Sequence, residues 1–314
     1  MTRKIHLVVN PTASSVTPRA RVVITRAFAS DADVEVSLTE RRGHATELAR
    51  VAVASGADVV VVLGGDGTLN EVACALAGSA VRLGVLPGGS TNVFARSLGM
   101  SDDPVEATAQ LIDALTDMHA NEEHMSLGTA NGRAFVFHTG VGFDAAVVKE
   151  VEKRGHLKRW ISHPLFVWSA FRTWAGYDRA ARFRVELFGG AVHQSPLTLV
   201  LNRDPYTYLG ERPVRLAVGA DFDTGFAVAC FRSLGLVSTL AAAGRALTKP
   251  SGLTSGRTVT VRRGVKQLTI TSNRAFHYQV DGDYMGEIDE LRIAHMPATL
   301  WVLRPGRPPG AVAT

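Results

Sequence analysis

The sequence predicts an α/β domain on a parallel sheet, followed by an antiparallel β-rich sandwich domain. Three observations carry this. Val59 to Leu63 is an unbroken apolar run, the pattern of a strand covered by helices on both faces of a parallel sheet. Two strand–loop–helix units follow one another from Ala57 to Gly99, each with a glycine-rich loop. From Ser126 the chain shifts to short alternating strands punctuated by Gly, Asn and Pro, which predicts antiparallel pairing. The polar run Asp117 to His124 sits between the two styles, so the expected domains are 1–124 and 125–296.

The bulk numbers allow this division. With 314 residues, 46% of them hydrophobic, the chain has material for two modest cores. A net charge of +5 and a pI near 9.5 fit an anionic partner: nucleotide phosphate, nucleic acid or a lipid surface. Cys74 and Cys230 have neither metal-ligand spacing nor a disulfide framework, so both read as small core residues in a reducing compartment. The apolar segment Ile5 to Val9 is broken by Asn10-Pro11 and is too short for a signal peptide or a membrane span. A cytoplasmic protein is expected.

Lys4 to Val9 is the first strand, ended by the Asn10-Pro11 turn. Thr17 and Pro18 cap and open a helix to about Ala29. Val34 to Thr39 is the second strand, and Thr46 to Ala54 the helix after it, with His44 a helix-start residue rather than a base. After Val59 to Leu63 comes the loop Gly64-Gly65-Asp66-Gly67. Thr68 is read as the cap of a helix that buries Leu69, Val72, Ala73 and Leu76 and stops at Gly78. Leu83 to Leu86, the loop Pro87 to Asn92 and a helix from Val93 to Leu98 repeat the unit, and Asp103-Pro104 opens a helix through Leu115.

In the second domain, Arg133 to Thr139 leads to Gly140-Val141-Gly142-Phe143-Asp144-Ala145. Further strands are expected at Arg182 to Leu187, Leu197 to Asn202, Val214 to Val218 and Phe226 to Phe231. Leu234 to Leu247 is helical. Val259 to Arg262, Gln267 to Thr271, His277 to Val280 and Leu300 to Leu303 are strands, and Arg304 to Thr314 is a loose tail. Between these elements, Lys149 to Tyr177 combines Trp160, Trp168 and Trp174 with Lys153, Arg154, Lys158, Arg159 and Arg172, as an interfacial helix facing anionic lipid would. The bland alternative is a helix packed on the β domain. No accompanying motif supports nucleic-acid binding.

Two glycine-rich loops at the carboxyl ends of neighbouring parallel strands suit a polyphosphate, because glycine admits backbone N–H groups close to phosphate oxygens and helix N-termini favour negative charge. Asp66 is the odd feature. A carboxylate among phosphates repels them unless it helps hold Mg²⁺ or accepts a hydrogen bond from a substrate hydroxyl, which points to transfer chemistry. The common fingerprints are absent: there is no G-x-x-x-x-G-K-[ST], Asn70 stands where a dinucleotide site needs its third glycine, and the protein-kinase motifs are missing.

Gly64-Gly65-Asp66-Gly67-Thr68-Leu69-Asn70-Glu71, followed by Leu86-Pro87-Gly88-Gly89-Ser90-Thr91-Asn92, resembles the catalytic domain of the bacterial diacylglycerol kinases, the YegS-type lipid kinases and the sphingosine kinases. The first element also occurs in NAD kinases; the pair at this spacing is the stronger signal. The resemblance implies a nucleotide domain to which residues from about 297 to 314 return. It implies ATP bound by Asn10, Pro11, Thr39, Gly64, Gly65, Asp66, Gly67, Thr68, Asn70, Glu71, Gly88, Gly89, Ser90, Thr91 and Asn92. It also implies Mg²⁺, with Asp66 and a structural site near the turn of Asp221 and Asp223.

Asp281-Gly282-Asp283 aligns with the family's aspartate-glycine-glutamate element, which makes Asp283 the catalytic base, one methylene short. Read from its residues alone, the same triplet is a hairpin turn. Asp144 falls on the family's cleft aspartate, orienting a catalytic group or touching the head group; its alternative is an N-cap before Ala145 to Val151. The chain departs from many members at Val93, where an acid feeds a metal–water network, and after Pro11, where Ala13-Ser14-Ser15 replaces a glycine.

The expected activity is transfer of the ATP γ-phosphoryl group to a lipid hydroxyl, diacylglycerol first, at the inner face of the membrane, by a protein compatible with a homodimer. A sphingoid or ceramide kinase, a soluble NAD-kinase-like enzyme and a non-catalytic sensor are the alternatives.

Overall fold

Parallel pairing organises the first part of the molecule. The computed structural model describes residues 2–153, 172–173, 176–177, 182–217 and 224–305. It separates into two units, Met1–Met125 with Ala298–Thr314, and Ser126–Pro297. In the first, β1 (Arg3–Val9), β2 (Ala32–Leu38), β3 (Val59–Gly64) and β4 (Arg82–Pro87) form a parallel sheet in the order β2-β1-β3-β4. Trp301 and Val302, from the chain's last strand, add to it in parallel beside Arg82 and Leu83.

The helices are α1 (Pro18–Phe28), α2 (His44–Ala54), α3 (Asp66–Leu76), the single turn and a half of α4 (Val93–Ser97), α5 (Pro104–Thr116) and α6 (Met118–Asn121). α2 packs with α3 and α1 with α5. All six residues of β3 are therefore buried, as its apolar run requires. Thr17 caps α1 through Ala20 N–H, and Asp103 caps α5 through Val105 and Glu106 N–H.

The second unit takes over within β5 (Glu122–Ala130) and continues through β6 (Arg133–Phe135), β7 (His138–Gly142), α7 (Phe143–Glu152), β8 (Phe183–Leu187), β9 (Val192–Ser195) and β10 (Leu197–Leu201). Then follow β11 (Thr207–Leu209), β12 (Arg212–Val214), β13 (Phe226–Phe231), α8 (Leu236–Thr248), β14 (Val259–Val265), β15 (Gln267–Val280) and β16 (Asp283–Leu303). β14, β13, β10, β7, β15 and β16 pair antiparallel in that order.

Strand alternation divides the interior in two. Leu197, Leu199 and Leu201 of β10 face a core shared with Phe143 and Val147 of α7 and Ala242 and Ala246 of α8. Val200 faces the other way, into a core with Phe135, Phe226, Ile270 and Leu291.

Several expected boundaries move. α3 begins at Asp66 with Gly65 at its cap, so Thr68 is inside the first turn and caps nothing. The segment from Arg133 holds two strands, β6 and β7, the second running on to Gly142. The strand expected at Val214 to Val218 is the short β12 instead. Gln267 to Val280 is one strand, with two register irregularities, where two strands were expected, and β16 is far longer than Leu300 to Leu303. Asp221, Asp223, residues 306–314 and most of Lys149 to Tyr177, its three tryptophans included, lie outside the described residues.

Candidate active site

The strand order makes the site. β1 is flanked by β2 on one side and β3 on the other, so the winding reverses between β1 and β3 and their following loops part at the carboxyl ends, where open α/β sheets bind ligands. Asn10 ends β1 there. Its N–H donates to Leu63 O (2.9 Å), its amide donates to Thr68 Oγ1 (3.0 Å), and its Oδ1 accepts from Thr12 N–H and Oγ1. Pro11 is exposed beside it. Thr39, leaving β2, is tied by its N–H to Val9 O (2.8 Å).

The two glycine loops lie against each other, and this contact requires glycine at positions 88 and 89. A Cβ on Gly88 would come within 2.8 Å of both Gly64 Cα and Gly64 N; one on Gly89 would come within 2.8 Å of Gly65 Cα. Gly88 N–H donates to Gly64 O (2.9 Å) across the same contact. Gly67 differs. A Cβ there meets nothing within 4 Å, and the residue is exposed in the first turn of α3. That turn has no side-chain cap, so the early N–H groups of α3 are available to an anion. Ser90 and Thr91 stand at the surface of the second loop, exposed and partly exposed.

Asp66 fastens the loops. Its Oδ2 accepts from Val93 N–H (3.0 Å) and its Oδ1 from Phe94 N–H (3.2 Å), the first N–H groups of α4. The residue is partly exposed, but its carboxyl is enclosed, and burial raises the pKa against the pull of these two donors. Asn92, in the left-handed region at φ 46°, closes the second loop on itself: Gly89 N–H donates to its Oδ1 and its amide returns to Gly89 O. Glu71 is committed elsewhere. Its two carboxylate oxygens take Gly43 N–H (2.8 Å) and Ala45 N–H (3.1 Å), capping α2 from a neighbouring helix. Asn70 is buried within α3.

In the second unit, Asp144 is not the helix cap that was its alternative; Gly142 holds that position. The Asp144 carboxylate accepts from Tyr206 Oη (2.9 Å) and Gln279 Nε2 (2.8 Å), and burial raises its pKa, the two donors pulling it back. The other end of Gln279 accepts Gly282 N–H at 2.8 Å. Asp144 thereby reaches the Asp281-Gly282 turn that joins β15 to β16, both of whose residues have positive φ.

Beneath that turn the Asp281 carboxyl accepts from Val136, Phe137 and His138 N–H at 2.7, 2.8 and 2.8 Å. Burial pushes its pKa up to about 7 despite these donors. Asp283 begins β16 with its side chain 30% exposed and Arg133 Nη2 at 3.5 Å. The triplet is thus both a hairpin turn and the bearer of an accessible acid. Sequence reasoning missed Asp281 as an anchor, although the motif contained it. Gln279 and Tyr206 carried no signal, since nothing local marks a residue whose partners lie 135 and 62 positions away.

Among the described residues no group of three or more His, Cys, Asp or Glu is placed to hold a metal. The donor chemistry at Asp66 nonetheless fits Mg²⁺ arriving on a polyphosphate, because that ion takes one or two carboxylates and fills its shell with phosphate oxygens and water.

Residues 4–119 match the family model of the diacylglycerol kinase catalytic domain. A diacylglycerol kinase of Staphylococcus haemolyticus is 28% identical over 258 residues, 80% of this chain and 72% of that one. A YegS-like lipid kinase of Cronobacter sakazakii is 34% identical over 132 residues, 38% of this chain and 40% of that one. The solved structure of a diacylglycerol kinase from Bacillus anthracis aligns over 99% of this chain and 98% of its own, with a TM-score of 0.71 at 20% identity. An NAD kinase from Archaeoglobus fulgidus, solved in complex with ATP, shares the fold more distantly, with a TM-score of 0.51, 13% identity and coverage of 96% and 94%.

Proposed function

We propose, from the premise that this chain is a lipid kinase of the diacylglycerol kinase catalytic-domain family, that it transfers the γ-phosphoryl group of ATP to the free hydroxyl of diacylglycerol, yielding phosphatidic acid. The observation that supports this most directly is the first turn of α3. An uncapped helix N-terminus, with Gly67 open beside it and the loops braced behind by Gly64 against Gly88, offers a fixed set of donors for phosphate.

In this reading the phosphates lie over Gly65 to Thr68, with Ser90 and Thr91 presenting hydroxyls from the second loop and Asn10 and Thr39 bordering the nucleoside. Asp66 would hold Mg²⁺, directly or through water, while its bonds to Val93 and Phe94 keep the second loop in register. The ion, when bound, neutralises charge on the phosphates. The acceptor oxygen bonds to the γ-phosphorus as the bond from that phosphorus to the bridging oxygen of ADP breaks. The acceptor's proton passes to Asp283, the partly exposed acid of the turn. Asp144 acts at one remove, holding the turn through Gln279. Membrane contact, including any made by Lys149 to Tyr177, is part of the proposal.

Mg²⁺-dependent transfer of labelled γ-phosphate to diacylglycerol, ceramide, sphingosine, isoprenoid alcohols and NAD, in mixed micelles where the acceptor needs them, tests it. Labelled phosphatidic acid supports the reading. A product from another lipid alone changes the acceptor, and a product from NAD alone overturns the lipid assignment.

A further inference from the structure

Helix α8 leaves two of its larger aliphatic side chains in solvent. It buries Ala242 and Ala246, at 8% and 2% exposure, while Val237 stands 82% exposed and Leu240 62% exposed. A helix docked on a protein core ordinarily turns its larger aliphatic side chains inward, since burying them is the main gain. Val237, Leu240, Ala241, Gly244 and Thr248 follow the i, i+3, i+4, i+7, i+11 spacing of one helical stripe, and all five are exposed. No acidic residue interrupts this face. Arg245 and Lys249, both exposed, close its C-terminal end.

The stretch of sequence that carries the helix is one-sided in charge. Residues 224–280 contain eight Lys or Arg, every one exposed, and not one Asp or Glu. We propose that the outward face of α8 is a docking surface for an anionic lipid bilayer, in which Val237 and Leu240 enter the acyl boundary and Arg245 and Lys249 meet the head groups. The charge decides the occupant. A nucleic acid would use the cations and leave two aliphatic side chains in water, whereas an anionic bilayer satisfies both at once. The helix lies on the bilayer, because among the described residues none is long and apolar enough to cross it. This surface goes beyond the phosphoryl-transfer reading, and binding to vesicles is measured without turnover, so either can fail alone.

The test uses the full chain and sedimentation with phosphatidylcholine vesicles, with and without phosphatidylglycerol. Val237→Ser/Leu240→Ser and, separately, Arg245→Glu/Lys249→Glu should each weaken binding to the anionic vesicles by about tenfold or more. Far-UV circular dichroism and the Tm should stay as in the parent, because all four side chains point away from the core. An environment-sensitive fluorophore on Leu240→Cys, with Cys74→Ser to remove the other partly exposed thiol, should shift to the blue only when anionic vesicles are added. Undiminished vesicle binding in both variants, or sedimentation without a spectral shift, overturns the proposal. So does a label already blue-shifted without lipid, which would mean that protein, from this chain or a second copy, covers the face.

Discussion

Asp66 bonds to the start of α4 with both oxygens, so whatever it does for a metal it does from a fixed position. Asp66→Asn keeps one acceptor and turns an amide N–H₂ toward the other backbone donor. Loss of that bond to a charged acceptor should cost about 1–3 kcal/mol, seen as a lower urea midpoint, together with loss of transfer. Gln279 is fully buried with each end of its amide engaged. Gln279→Leu should lower kcat strongly and leave the KM for ATP near its parent value, because it loosens the turn of Asp283 and touches nothing in the glycine loops. An equal rise in the KM for ATP would contradict the positioning role.

Asp281 adds a pH dependence. Its folded pKa of about 7 lies above the ~3.9 of an unfolded aspartate, so the folded chain binds that proton more tightly. The stability contributed is complete below about pH 4 and is lost as the pH rises to 7. Denaturant midpoints should fall between pH 5 and pH 8, and the fall should shrink in Asp281→Asn.

The glycine loops behave as one element. Gly88→Ala places a methyl against the backbone of Gly64, where no side chain can give way. It should lower the melting temperature and weaken ATP binding together. Gly67→Ala enters open space within a helix, where losing a glycine is worth about 0.5–1 kcal/mol of stability. If phosphate sits over that turn, this variant should be at least as stable as its parent and yet bind ATP more weakly. Calorimetric titration with scanning calorimetry separates the two effects, and a Gly67→Ala protein with parental ATP affinity would remove the phosphate from α3.

The loops were legible in sequence because glycine, apolar runs and helix caps are local signals. Their reason was not. The sequence reading assigned the glycines to phosphate approach, and the structure adds a second demand: Gly88 and Gly89 pack against the backbone of Gly64 and Gly65, a contact between positions 24 residues apart. Thr68 was misread as a cap because the helix starts earlier, at a residue whose own side chain caps a different helix.

At the scale of the molecule, the division of labour follows from the two kinds of sheet. The parallel sheet, with β3 buried throughout, was readable from one apolar run. The antiparallel unit was readable in style but not in detail. β16 extends from Asp283 to Leu303 with a mixed, largely half-exposed pattern, so only its apolar end announced a strand. The polar network of Asp144, Tyr206 and Gln279 depends on pairings such as Gln279 with Gly140, which no local pattern encodes.

The central claim is transfer of phosphate from ATP to a lipid alcohol, with Asp66 serving the nucleotide and Asp283 the acceptor. The direct measurement is incorporation of γ-phosphate from labelled ATP into diacylglycerol in mixed micelles with Mg²⁺, for the parent, Asp66→Ala and Asp283→Ala. The account predicts labelled phosphatidic acid from the parent, with transfer abolished in Asp66→Ala and reduced by about a hundredfold or more in Asp283→Ala, whose ATP affinity stays parental. Parental turnover in Asp283→Ala, or ATP binding by the parent with no labelled lipid product at all, would contradict it.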